Sequence, residues 1–116
     1  MINLEERQLL HQFIILDLAI RALQHDYEAI ETLKMTVVYK AVIEALLKSL
    51  RSQHHNLKRQ LQQRKIYIVR WHRNDMYFSD VQIATKGEDI SLRYANQALK
   101  TEVEQVLLRS GDTYLH

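Results

Sequence analysis

The run Ile66-Tyr67-Ile68-Val69-Arg70-Trp71 decides the fold, because here the apolar period changes from that of a helix to that of a strand. Ile66, Ile68 and Arg70 alternate with Tyr67, Val69 and Trp71. Alternation among β-branched and aromatic side chains marks a half-buried strand. His72-Arg73-Asn74-Asp75 then supplies turn residues, residues 76–85 read as a second strand, and Lys86-Gly87-Glu88-Asp89 supplies another turn. Ile90, Leu92 and Tyr94 fit a third strand, whereas Leu92, Ala95, Leu99, Val103 and Val106 also fit a helix capped by Asp89. The strand is the preferred reading. Either way a helix is expected over 96–109, with Gly111 as its stop.

Upstream of the run everything is helical. Asn3 with Glu6 three residues on forms an Asn version of the capping box, and Glu5 and Glu6 complement the positive end of the helix dipole. Leu9, Phe13, Leu16, Ile20, Leu23 and Tyr27 recur every three or four residues as one apolar stripe. Leu4, Ile15, Leu18 and Ala22 form a second apolar set on nearly the opposite side. The helical pattern resumes with Val38, Val42, Leu46, Leu50, Leu57 and Leu61, and no Pro or Gly occurs before Gly87. An unbroken helix over 4–64 would be about 90 Å long, several times the width of a small domain. A turn is therefore expected between 24 and 36, where Thr32 and Thr36 are candidate caps. The expectation is an α+β, mostly helical single domain spanning 1–116. A helical hairpin (3–64) packs on a small antiparallel two- or three-stranded sheet, a β-hairpin or meander (65–94), followed by a C-terminal helix (96–109).

Composition narrows the function. The chain is 47% hydrophobic and 26% charged, which favours a packed core over disorder. With no cysteine, neither a disulfide framework nor a zinc ribbon holds it together, and a reducing, cytoplasmic setting is expected. Met1-Ile2-Asn3-Leu4-Glu5-Glu6 lacks the basic start of an export signal. The richest apolar run, 9–23, is interrupted by His11, Gln12, Asp17 and Arg21, so no membrane span is expected.

Charge placement is the sharpest signal. Residues 45–74 contain eight cations, Lys48, Arg51, Lys58, Arg59, Arg64, Lys65, Arg70 and Arg73, and no Asp or Glu. The segment thus carries +8 within a net charge of +2, leaving −6 on the rest. Such a segment suits phosphate neutralisation, with Tyr67 and Trp71 as stacking faces. The preferred reading is a solvated helix face, with Tyr67 and Trp71 as one buried face of the strand, because no nucleic-acid signature accompanies the charge. After Leu50 only Leu57 and Leu61 remain as large apolar residues of the second helix, a narrow stripe that fits a projecting end or packing on its own hairpin.

The two-faced first helix must be covered on both sides, either by the rest of the chain or by a second copy across Ile15 and Leu18. Signs of catalysis are few. Adjacent His54 and His55 point about 100° apart on a helix, which is poor for one metal. Asp17 has Arg21 one turn on, Glu44 has Lys48, and glycines only at 87 and 111 cannot build a phosphate loop. Asp17, His72 and Tyr77 would make a site only if the fold brought them together. No catalytic residue, metal or cofactor is assigned. The expected function is a non-enzymatic interaction or regulatory protein that self-associates through helices, with nucleic-acid binding through 45–74 as the alternative.

Overall fold

The computed structural model describes residues 2–115. The first helix, α1 (Leu4–Ala29), begins at the expected capping box. Glu6 N–H donates to Asn3 Oδ1 at 2.8 Å, and Asn3 N–H donates to Glu6 Oε1 at 3.1 Å. Two of the helix's unpaired donors are thereby satisfied.

The turn falls inside the expected window, as a 3-10 segment, Ile30–Thr32, followed by α2 (Thr36–Gln63). Neither threonine caps α2. Met35 occupies the cap position in the left-handed region at φ 60, and the Thr36 hydroxyl instead donates to the carbonyls of Ile30 and Leu33. The far end of α2 closes the same way. Lys65 sits at φ 60, its N–H donates to the Gln62 carbonyl at 3.0 Å, and Ile66 N–H donates to the Leu61 carbonyl at 3.0 Å. This pair of bonds is a Schellman closure, and its usual apolar contact is present because Leu61 and Ile66 are buried in one cluster.

Strands β1 (Tyr67–Arg73), β2 (Phe78–Ala84) and β3 (Asp89–Ala95) form an antiparallel sheet in the order β1-β2-β3. The third strand is thus a strand, as preferred. A bulge between Ile68 and Arg70 leaves Val69 as an extra residue. In strict alternation Trp71 would share a face with Tyr67 and Val69. The bulge turns it inward, opposite Val81 and on the side of Ile68.

The last helix, α3 (Asn96–Leu115), starts where expected and runs through Gly111. A helix-ending glycine takes positive φ, which Gly111 does not. Within a helix it costs about 1 kcal/mol relative to alanine, which by itself is no stop.

Helix α1 lies at the centre. Leu10, Ile14 and Ile15 join Leu61, Ile66, Val81, Ile83 and Leu99 in a cluster under the sheet. Leu16, Ala19, Ile20 and Leu23 join Leu46, Leu47, Leu50 and Leu57 in a second cluster against α2, and Val103 and Val106 of α3 pack on both. Each fully buried Leu or Ile contributes roughly 1.5–3 kcal/mol. The second apolar face of α1 is therefore closed by the sheet and α3 at Ile15, while Leu4 at its start stays exposed. Ile15, expected at a self-association surface, is 4% exposed and belongs to the interior, while Leu18 is half-buried. Leu10 and Ile14, at 0% and 1% exposure, fall between the two sequence stripes and belonged to neither.

Candidate interaction surfaces

What α1 does not expose, the tip of the hairpin does. Leu33, Met35, Val37, Val38, Tyr39 and Val42 are all exposed, Val37 to 82%. At about 100° per residue, Val37, Val38, Ala41, Val42 and Ala45 lie within about 140° of arc, whose Val42 edge is about 40° from Leu46. The opposite flank of the tip is a polar clamp. Tyr27 donates to Glu44 Oε1 at 2.6 Å, and Lys40 pairs with Glu31 while lying 5.2 Å over the Tyr27 ring. The Glu44 carboxylate beside it raises the Tyr27 pKa, and Glu31 raises that of Lys40. Sequence periodicity placed Val38 and Val42 on the buried stripe with Leu46 and Leu50. The signal for the exposed patch was the pair Leu33 and Met35, large apolar residues in a turn.

The eight cations of 45–74 do not form one surface. Lys48, Arg51, Lys58 and Arg59 are exposed on α2 within about 100° of arc and about 17 Å of axis, and none is in an ion pair among the described residues. Arg64, at the helix end, bonds Glu5 at 2.9 Å and lies 4.0 Å from Glu6, beside Lys65. Arg70 points to the open face of the sheet, lining a depression with His72 and Asp80. Arg73, at the end of β1, donates to the Asp75 carbonyl at 3.2 Å. Trp71 packs against the core, so of the two expected stacking aromatics only Tyr67 is exposed.

Leu18 lines an apolar groove of about 910 Å³ with Ala22, Trp71, Tyr77, Leu99 and Val103, at the edge where α1, the β1–β2 turn and α3 meet. The groove holds Leu18 and Ala22 of the anticipated second face, while Leu4, at the start of the helix, is 72% exposed.

The remaining carboxylates near these surfaces have partners. Asp17 takes Arg21 Nε at 3.0 Å and pairs with His54 Nε2 at 3.1 Å, and the His54 ring stacks on Phe13 at 4.4 Å. His11 pairs with Glu102 between α1 and α3. Asp80 receives Arg93 Nε at 2.9 Å and Asn74 Nδ2 at 2.7 Å, and the guanidinium first, then the amide, hold its carboxyl below the usual carboxylate range. Burial raises the Tyr94 hydroxyl pKa. Asp17, His72 and Tyr77 line three different depressions and do not converge. Among the described residues no group of three or more His, Cys, Asp or Glu is placed to hold a metal ion, and no helix is long and apolar enough to cross a membrane.

No curated protein and no solved structure matches the chain. The YhjD protein family matches it over residues 1–110, and the chain therefore belongs to that family.

Proposed function

We propose that the chain is a non-enzymatic interaction protein of the cytoplasm that works as a homodimer, paired through the first three turns of α2. The observation that carries this reading is the joint exposure of Leu33, Met35, Val37, Val38 and Val42 at the hairpin tip. Side chains of this kind gain roughly 1.5–3 kcal/mol each from complete burial. A contiguous apolar patch of this kind is a site for a partner.

A second copy fits the patch for two reasons. Its arc holds no charged side chain over 37–45, and Ala41 and Ala45 between the valines let two helices approach closely. In an antiparallel pairing about Ala41, Val37 and Val38 meet the partner's Val42 and the partner's Ala45. Such a pairing also carries the two acid-free halves of α2 to opposite ends, whereas a parallel one would set like charges side by side.

Sedimentation equilibrium of the full chain, alone and as Val38→Glu/Val42→Glu, tests the reading. The unmodified chain should dimerise and the variant should be monomeric with unchanged circular dichroism, because both side chains are about half exposed in the single chain. A chain that stays monomeric at high micromolar concentration, or a variant that still dimerises, would refute it.

A further inference from the structure

The basic band on α2 borders a second feature that makes it more than a solvated face. Lys58 lines a depression of about 290 Å³ together with Arg21, Gln62 and Tyr67, where the seam between α1 and α2 meets the start of the sheet. Tyr67 is 45% exposed there. The one carboxylate in the depression, Asp17, already has both oxygens engaged, by Arg21 and His54. A cationic ridge made of Lys48, Arg51, Lys58 and Arg59 therefore leads along α2 to an aromatic ring with amide donors beside it.

We propose that this ridge binds single-stranded nucleic acid, with the four cations along the phosphate backbone and a base stacked on Tyr67. Single-strand binders combine these two elements, a positive track for the backbone and an aromatic platform for bases. The ridge spans about 17 Å, room for several phosphates of an extended strand. Ser52 and His55 along it, and Gln62 at its end, are hydrogen-bonding groups of the kind that contact phosphate and base edges. An anionic membrane is the poorer fit. A membrane-surface helix needs large apolar side chains beside its cations, and between Lys48 and Gln63 the outward arc has none. The proposal is independent of the pairing proposed above, which uses the other half of α2.

Fluorescence anisotropy with labelled oligothymidylate tests it. Four phosphate contacts on a single strand predict a slope of about −2.8 for log Kobs against log[NaCl]. Tyr67→Ala should weaken binding at least about fivefold and leave the slope unchanged. Neutralising the ridge with Lys48→Gln, Arg51→Gln, Lys58→Gln and Arg59→Gln should abolish binding at moderate salt. Neutralising Lys34, Lys86, Lys100 and Arg109 in the same way should not, although the net charge changes equally. The Val38→Glu/Val42→Glu variant should retain the slope, which separates a failure of dimerisation from a failure of this site. Four outcomes overturn the proposal. They are no binding at low salt, equal loss in the ridge and control variants, no effect of Tyr67→Ala, and ridge-dependent binding to phosphatidylserine vesicles in place of the oligonucleotide.

Discussion

Replacing Ile15 with alanine separates a core residue from an interface residue. The side chain loses three carbons, worth about 0.8 kcal/mol each in transfer, or roughly 2.4 kcal/mol. Ile15 is 4% exposed between the sheet side of α1 and α3, so the space it leaves stays partly empty and adds a cavity cost. Core truncations of this size cost about 2–5 kcal/mol, and we expect about 3 kcal/mol here. With a urea dependence near 1.5 kcal/mol per molar, within the range of small domains, the unfolding midpoint should fall by about 2 M. The assay is urea unfolding followed by circular dichroism at two protein concentrations a hundredfold apart. Pairing adds a concentration-dependent stability to both proteins, so the difference between them should be the same at each concentration. Were Ile15 on a dimer interface, the single chain would lose no more than about 0.5 kcal/mol, as for an ordinary surface residue, and the difference would vanish on dilution. That second result would refute the enclosure of α1.

Two further perturbations probe local devices. Lys65→Gly should stabilise the fold by about 1 kcal/mol in the same urea assay, because it relieves a left-handed lysine at φ 60 without removing the backbone bonds that end α2; a loss of stability would mean that the Lys65 side chain contributes more than its conformation costs. Asp80→Asn should flatten the acid limb of stability. The carboxyl pKa is lowered in the fold from 3.8, so its stabilising effect is present above that value and is lost as pH falls through the lowered one. Thermal melts from neutral pH downwards should show the unmodified chain losing stability in that window more steeply than Asp80→Asn, and parallel curves would contradict the assignment.

The elements were legible in the sequence where local chemistry agrees with the fold. The capping box at Asn3, the change of period at Ile66 and the third strand all have short-range causes. The turns of the hairpin were harder to place, because both ends of α2 are closed by left-handed non-glycine residues, Met35 and Lys65, that carry no turn signature. Periodicity misled in two ways. A helix enclosed on nearly all sides along its middle shows no single stripe, so Leu10 and Ile14 fall outside both apolar sets, and periodicity alone leaves Ile15 open between the core and a self-association surface. At the start of α2 the stripe continues past the point where α1 can cover it, so Val38 and Val42 read as core. Trp71 depended on a one-residue bulge, which strict alternation does not reveal. The charge segment was visible as a whole, but only the geometry of α2 separates the four-residue ridge from Arg64, Arg70 and Arg73.

Because the chain has no cysteine, a single Ala41→Cys substitution reports directly on the proposed pairing. In an antiparallel dimer centred on Ala41 the two introduced thiols lie across the twofold axis, within the short separation a disulfide requires. Mild oxidation should convert Ala41→Cys to a covalent dimer rapidly and nearly completely, while Gln82→Cys on the open face of the sheet should remain monomeric. Equal, slow cross-linking at both positions would contradict pairing through α2.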